Sequence, residues 1–256
     1  MKKQFVLSTI CMLCLGTIVG CDNLENTLVV GYTNFPPMGY VDTTTGDLVG
    51  FDVEVAEKVA NYLDMNIEYK KISWETKEAQ LESNRIDCVW NGFSYTQERA
   101  DSLTLSDTYM LNSIIIMSKI ENSYETIDSL AGLKVCVEVG SSSDEYMLAG
   151  PSTTFGEYKE YEDYATCFTA LQGGIADAII IDTICANYIL KQNSDIANSY
   201  YLSTSSIAQE KFCIGFKLGN IELRDRVDDA IDALYASGDI TEISRKYFNV
   251  DLFTRE

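Results

Sequence analysis

Strand-like runs alternate with helical repeats along the first part of this chain. Residues 27–32 and 67–72 have the patterns of strands, and between them residues 52–63 place Val, Ala and Leu at helical spacing. A short helix over 75–82 and a strand over 86–90 follow. Because alternating strands and helices build βαβ units, this order predicts an α/β domain with a parallel sheet.

A second set of elements follows. Strands are predicted over 111–117, 133–139, 176–181 and 211–217, and helices from Asp144, over 221–235 and through Phe248 after a stop at Gly238. The alternation that restarts after residue 130 indicates a second sheet. The two closing helices are expected to return to the first lobe.

The amino terminus has the pattern of an export signal. Lys2 and Lys3 precede an apolar stretch over 5–19 that is too short and too weakly flanked for a transmembrane helix. An uncleaved signal anchor is the alternative. Ile18-Val19-Gly20-Cys21 resembles the lipobox of bacterial lipoproteins, so residues 1–20 are predicted to be a lipoprotein signal peptide and Cys21 the acylated residue. Two or more acyl chains anchor a protein stably. We therefore expect an extracytoplasmic domain held at the bacterial cell membrane by lipid.

Charge and composition exclude several function classes. The chain carries a net charge of −20, and loss of Lys2 and Lys3 with the signal brings the mature protein to about −22. A nucleic-acid partner is excluded because so acidic a chain cannot neutralise phosphates. There is no histidine, which excludes histidine-dependent triads and histidine-ligated zinc.

The cysteine count argues against a disulfide framework. Five cysteines follow Cys21, an odd number, and three of them lie within apolar strand-like runs: Cys88, Cys136 and Cys213. We expect these three to behave as small buried hydrophobic residues.

Arg99 is the strongest candidate for a binding residue. It ends a stretch, residues 91–99, that follows the predicted strand over 86–90 and is rich in hydroxyl groups. Ligands of open α/β sheets bind beyond the carboxyl ends of strands, and a guanidinium can hold a carboxylate through two parallel hydrogen bonds. Arg99 is therefore a candidate anion receptor. The alternative is an arginine on a solvated surface.

Several motifs, in order along the chain, are similar to those of one family. They are Phe35-Pro36-Pro37-Met38, Gly50-Phe51-Asp52-Val53-Glu54-Val55-Ala56, residues 91–99, Leu130-Ala131-Gly132-Leu133-Lys134-Val135, Gly140-Ser141-Ser142, Gly174-Ile175-Ala176-Asp177-Ala178 with Asp182, and Gly238 with Lys246-Tyr247-Phe248. On these motifs the chain resembles the family 3 extracellular solute-binding proteins, the receptors of polar amino-acid ABC importers.

The resemblance implies a two-lobed fold of the type II periplasmic-binding-protein class. Each lobe would be a sheet flanked by helices, with two hinge crossings near 117–119 and 211–213 and a ligand cleft between the lobes. The first lobe would comprise residues 21–117 plus 213–256, and the second residues 118–212. The resemblance further implies a monomer without a cofactor that delivers its ligand to the permease subunits of an ABC transporter.

The resemblance also assigns roles to individual residues. Arg99, Ser94 and Ser142 would bind the α-carboxylate of an amino acid. Asp182 and the carbonyl of Gly92 would accept hydrogen bonds from its α-ammonium group. Ser141 belongs to the same turn as Ser142, which precedes a helix, and helix starts favour anions. Ser141 and Asp182 could instead serve only as helix caps.

The side chain of the ligand would lie between Phe35 and Trp74. Glu138, two residues before Gly140, would face this side chain, although a solvated Glu138 is an equal alternative. Relatives specific for glutamine or basic amino acids commonly have an aspartate where this chain has Tyr32. Arginine, lysine, glutamine and cystine therefore all stay open as ligands.

Two other function classes are considered. The same fold occurs in exported dehydratases that use a cleft carboxylate as general acid, and Glu138 is the one candidate for that role. A sensor or adhesin lipoprotein is the other class. A transport receptor that is not an enzyme is the expectation.

Overall fold

A computed structural model describes residues 26–255 of the chain. The predicted signal peptide, residues 1–20, and the predicted lipidation site, Cys21, lie outside the described residues. Among the helices of residues 26–255, none combines the length and apolar character that a membrane crossing requires.

The elements alternate as the sequence predicts. The first half contains β1 (Thr27–Tyr32), β2 (Tyr40–Val41), β3 (Leu48–Val49), α1 (Phe51–Tyr62), β4 (Asn66–Lys71), α2 (Lys77–Glu82), β5 (Cys88–Ser94), α3 (Gln97–Ser102), β6 (Thr104–Leu105) and β7 (Met110–Lys119). The second half contains β8 (Lys134–Glu138), α4 (Ser142–Leu148), β9 (Glu157–Tyr161), α5 (Tyr164–Gln172), β10 (Ala178–Asp182), α6 (Thr183–Gln192), β11 (Tyr200–Leu202), β12 (Ala208–Phe216), α7 (Ile221–Ser237) and α8 (Asp239–Phe248).

Ten strands form one curled sheet that runs through two lobes in the order β4-β1-β5-β12-β7-β10-β8-β9, with β11 paired to β7 and β6 to β12, while β2 and β3 form a separate two-stranded sheet. The prediction of a second sheet after residue 130 is wrong, because β7 and β12 pair with strands of both lobes and join them into one sheet. In the first lobe β1 pairs in parallel with β4 and β5, and in the second β8 pairs in parallel with β9 and β10. The two-lobed α/β fold that the resemblance implied is confirmed.

Helix α1 shows how the sequence sets this geometry. Val55, Ala56 and Val59 recur at helical spacing and are buried against the sheet. The helix begins after Gly50, whose φ is 145°. A Cβ at Gly50 would lie 2.2 Å from the carbonyl oxygen of Met38, so only glycine fits this close approach.

Strands β7 and β12 connect the two lobes. They pair antiparallel from Met110 with Phe212 to Ile114 with Ala208. Beyond Ile114 strand β7 pairs with β10, and beyond Phe212 strand β12 pairs with β5. The lobe boundaries predicted at 117/118 and 212/213 fall inside these two strands and stay a prediction.

Apolar side chains fill both faces of the sheet. One cluster lies under α2 and α3 in the first lobe, and another lies under α4 in the second. The largest cluster extends from the first lobe to the second, where the ring of Phe35 lies 6.1 Å from that of Tyr164 and 6.3 Å from that of Phe212. The cleft between the lobes is therefore closed on one side by aromatic rings.

One local prediction is wrong. Residues 91–94, expected to form a turn after a strand over 86–90, continue β5 to Ser94. All seven residues of β5 are buried, so this stretch lies in the centre of the sheet rather than at its rim.

Candidate functional site

A small cavity lies between the lobes. Its walls contain all nine residues predicted to bind ligand, and two that were not predicted: Phe35, Trp74, Gly92, Ser94, Arg99, Glu138, Ser141, Ser142 and Asp182, with Thr33 and Asn91. The fold therefore brings together side chains from both halves of the sequence. Their individual binding roles stay predictions.

Thr33 and Asn91 are the lining residues that sequence reasoning missed. The Asn91 side chain accepts a hydrogen bond from the Thr33 backbone at 2.9 Å. Each follows a strand predicted from the sequence, over 27–32 and 86–90. Because parallel strands present their carboxyl ends at one edge, the rule that singled out Arg99 applies to both of these positions.

Arg99 is 3 % exposed, which rules out the alternative of a solvated surface arginine. It lies on α3, and its backbone N–H is capped by the Thr96 hydroxyl. Nη1 donates to the Ser94 carbonyl at 2.8 Å and Nη2 to Glu145 Oε1 at 2.8 Å, while the guanidinium lies 4.4 Å from the centre of the Phe93 ring. Nε is buried and has no hydrogen-bond acceptor among the described residues. The Nε–H group of Arg99 can therefore donate a hydrogen bond to an anion.

The turn at Gly140-Ser141-Ser142 faces Arg99 from the second lobe. Ser141 accepts a hydrogen bond from the backbone of Asp144 at 3.1 Å, so the capping role considered for it is confirmed, although Ser141 also lines the cavity. The Ser142 hydroxyl donates to the Ser94 hydroxyl across the cleft at 3.3 Å. Two hydroxyl groups from different lobes thus meet beside the arginine.

Asp182 ends β10 and is 4 % exposed. It occupies the capping position of α6, but its side chain makes no capping hydrogen bond. Its Oδ1 instead accepts a hydrogen bond from the Asn112 amide at 2.5 Å. Burial raises the pKa of Asp182 well above its usual range, and the charge of Glu210 adds to this. A buried carboxyl group of this kind gains most from a positively charged partner.

Glu138 ends β8 and is 3 % exposed, so the alternative of a solvated side chain is wrong. Its Oε1 has no hydrogen-bond donor among the described residues. Burial raises the pKa of Glu138 well above its usual range, and the charge of Asp182 contributes further. The cavity therefore contains two buried carboxyl groups, those of Glu138 and Asp182, that interact electrostatically.

Gly92 and Phe35 form the floor of the cavity. Gly92 has a φ of 60°, and a Cβ there would lie 2.4 Å from Cε1 of Phe35. Its N–H donates to Oδ2 of Asp52 at 2.6 Å, and this carboxyl also accepts from the Tyr109 hydroxyl at 2.9 Å. Burial raises the pKa of Asp52 to about 7. Asp52 thus fixes the orientation of the peptide group that joins Asn91 to Gly92, directly before the Gly92 carbonyl.

Trp74 closes the opposite side. It is buried, and its ring meets that of Phe93 edge to face at 6.0 Å. Trp90, which we expected in or beside the core, is buried in the large apolar cluster and does not line the cavity.

Two cations of the first lobe contact the second lobe directly. The Lys77 ammonium donates to the Gly140 carbonyl at 2.9 Å, and Arg99 pairs with Glu145 at 2.8 Å. We call these four residues the interlobe bridge. Lys77 and Glu145 escaped sequence reasoning because each has the spacing of an ordinary residue on the surface of a helix.

Comparisons with known proteins identify the family of the chain. A family model described as "Bacterial extracellular solute-binding proteins, family 3" matches residues 28–250. The L-cystine-binding protein TcyJ of Escherichia coli (strain K12) is 28% identical over 231 residues, which cover 89% of this chain and 85% of that protein.

Solved structures show the same likeness. An ABC uptake transporter substrate-binding protein from Streptococcus pneumoniae with bound histidine superposes with a TM-score of 0.85 at 28% identity, covering 90% of this chain and 96% of that one. An ancestral arginine-binding protein bound to arginine gives a TM-score of 0.81 at 30% identity, covering 87% and 98%. These relatives are described as binding proteins, which gives no support to the dehydratase alternative. Since the family model spans most of its length, the chain belongs to the bacterial extracellular solute-binding proteins, family 3.

Proposed function

We propose that this protein is the substrate-binding receptor of an ABC importer and captures a polar amino acid between its lobes. The observation that carries the proposal is a cavity lined by both Arg99 and Asp182. Among residues 26–255, Nε of Arg99 has no hydrogen-bond acceptor, and the groups that perturb the pKa of Asp182 include no cation. An amino acid has a carboxylate and an ammonium group on neighbouring atoms and can satisfy both.

Each end of the amino acid has a set of partners. Nε of Arg99 and the hydroxyls of Ser94 and Ser142 would bind the α-carboxylate. Asp182 and the carbonyl of Gly92 would accept from the α-ammonium group. Charge-assisted hydrogen bonds of this kind are the strong ones, and burial strengthens them because little water competes.

The side chain of the ligand would lie between Phe35 and Trp74 and end near Glu138. A buried carboxyl without a donor favours a side chain that carries N–H groups or positive charge. Relatives described as binding cystine, histidine and arginine all take amino acids with polar side chains. We infer that a cationic side chain fits best, with L-arginine the first candidate.

The proposal extends to the location and the partners of the protein. We propose that residues 1–20 are removed and that acylated Cys21 holds the protein at the outer face of the cell membrane, where it meets the permease subunits as a monomer. A Cys21→Ser variant should leave the membrane fraction for the soluble one. Variant protein that stays in the membrane fraction would contradict the anchor.

Capture would require the lobes to close about β7 and β12, with lobe boundaries near 117/118 and 212/213. Hinge closure of this kind places the ligand out of water and lets both lobes contact it at once.

A thermal-shift screen with the twenty amino acids, cystine and ornithine tests the proposal. A ligand present at one hundred times its Kd should stabilise the folded protein by about 2.7 kcal/mol. For a protein of this size, that corresponds to a rise of about 5–10 °C in Tm. The matched control is Arg99→Ala, which should fold but show no shift. If no amino acid raises the Tm of the native protein, the proposal is wrong.

A further inference from the structure

Glu210 belongs to the hinge and reaches the predicted ammonium site. It lies on β12 directly opposite Asn112 on β7, at the point where the two crossing strands pair. The Asn112 amide donates to Oδ1 of Asp182 at 2.5 Å and to Oε2 of Glu210 at 3.0 Å. One amide group therefore bridges a cleft carboxyl and a hinge carboxyl.

Both carboxyl groups are buried. Asp182 is 4 % exposed and Glu210 is 8 % exposed, so neither is solvated well enough to bear an unpaired charge at low cost. Two carboxyl groups that share one site in a low-dielectric environment do not both ionise readily, and such a pair titrates as a unit.

Within residues 26–255, none of the groups that perturb the pKa of Asp182 is a cation. Glu138 from β8, Tyr164 from α5 and Cys185 from α6 interact electrostatically with Asp182, and none of them carries positive charge. Arg99 lines the same cavity, but two of its nitrogens are bound to Ser94 and Glu145.

The lysine next to Glu210 lies on the other side of the strand. Lys211 is exposed where Glu210 is buried, as expected for successive residues of a strand. Since Asp182 and Glu210 both accept from the same amide group, holding one proton between them would lower the free-energy cost of burying both.

We propose that Glu210 is a positioning residue that shares one proton with Asp182, and that capture of the ligand's ammonium group releases this proton to solvent. The inference rests on the proposed function and deepens it. No covalent bond to the ligand forms. The ammonium group replaces the proton as the positive charge beside the two carboxylates, and the hydrogen bonds from Asn112 hold both carboxylates in place.

The exchange makes affinity depend on pH in a definite direction. Below the pKa of the unliganded pair, each captured ligand displaces one proton, so affinity rises with pH by up to about tenfold per unit. Above that pKa the pair is already ionised, and affinity levels off. Because the pKa of Asp182 is raised, affinity should keep rising with pH above the range in which carboxyl groups usually ionise.

Isothermal titration calorimetry of the purified protein tests the proposal, with L-arginine as the first probe and L-histidine or L-cystine in its place if arginine does not bind. Titrations at one pH in buffers of different ionisation enthalpy count the protons released, and a series from pH 5 to 8 gives the pH dependence of Kd. The native protein should release about one proton at the lower end of this range.

Substitutions of single residues test which carboxyl groups hold the released proton. Glu210→Gln removes the like charge, so it should release fewer protons and keep its affinity to lower pH, whereas Glu210→Asp should restore the release. Glu157→Gln, the same substitution on an edge strand outside the cavity, should match the native protein. Because Glu138 is also a buried acid, a Glu138→Gln variant should still release the proton that Glu210 and Asp182 share.

The outcomes separate this inference from the proposed function. If the native protein binds no amino acid, both are wrong. If it binds without releasing protons anywhere in the pH series, the proposed function stands and the shared proton is refuted. If Glu210→Gln binds and releases as many protons as the native protein, the proton does not belong to Glu210. The proton count on the native protein needs no variant, so a misfolded variant does not prevent the test.

Discussion

Replacing Glu145 by glutamine should weaken ligand binding, although Glu145 does not line the cavity. Glu145 belongs to α4 of the second lobe and pairs with Arg99 of the first at 2.8 Å. A contact between lobes contributes only while the lobes are together. Under the proposal that the lobes close on the ligand, loss of the contact should lower the population of the closed form and raise the apparent Kd by the same free energy.

The expected size follows from the exposure of the two side chains. Arg99 is almost wholly buried, and hydrogen bonds to such charged groups are worth about 1.5–3 kcal/mol. The side chain of Glu145 is 34% exposed, and solvated ion pairs are worth about 0–1 kcal/mol. A loss of about 1 kcal/mol lies between these limits and corresponds to an affinity about fivefold weaker.

The assay is calorimetry of the native and variant proteins at low and high salt, and Glu78→Gln is the matched control. Glu78 pairs with Lys77 at 3.2 Å and has a similar exposure, but both residues belong to α2 of the first lobe. Glu78→Gln should leave Kd within about twofold, and the effect of Glu145→Gln should shrink as salt screens the pair. Unchanged or tighter binding by Glu145→Gln would refute the reasoning. Tighter binding would mean that Glu145 competes with the ligand for Arg99.

Three further predictions concern groups that line or support the cavity. Arg99→Lys keeps the charge but loses the planar fork of the guanidinium. Breaking a buried charge pair costs at least about 2 kcal/mol, so the affinity measured by calorimetry should fall at least about thirtyfold. Near-native affinity would contradict the role of the fork. Ligand should change the tryptophan fluorescence of Trp90→Phe but not that of Trp74→Phe, and the reverse result would place the ligand elsewhere. Asp52 has a folded pKa of about 7, above its usual value of 3.8, so the folded protein keeps a proton that the unfolded chain loses. The free energy of unfolding of the native protein, measured with urea, should therefore fall as the pH rises from about 4 to 7, and that of the Asp52→Asn variant should fall less. If the free energies of both proteins change with pH in parallel, the raised pKa is contradicted.

The fold was predictable where its signals are local. Helix α1 lies one residue from its predicted bounds because a run of buried Val and Ala sets its phase. Helix α7 ends at Gly238, whose left-handed conformation (φ 92°) matches the predicted stop. By contrast, β9 was not predicted, because the edge strand Glu157–Tyr161 alternates Glu, Tyr and Lys and lacks a fully buried residue.

The site was predictable where residues follow strands or family motifs, and not where lobes meet. Arg99 belongs to the motif over residues 91–99, and Asp182 belongs to the motif that begins at Gly174. Lys77 reads as an exposed helix residue, yet it is buried because Gly140, distant in sequence, lies against it. Glu210 directly precedes the strand predicted over 211–217, and only its pairing with Asn112 places it beside the cavity. Contacts between distant segments leave no periodic trace in a sequence.

The burial of every cysteine between residues 26 and 255 makes this molecule convenient for optical measurements of its motion. All five thiols are free and inaccessible in the folded protein. A version that begins at Asp22 should therefore resist maleimide reagents until it unfolds. Cysteines introduced at Tyr62 on α1 and Leu148 on α4, both well exposed, would then take a pair of dyes, one on each lobe, without removal of any native thiol.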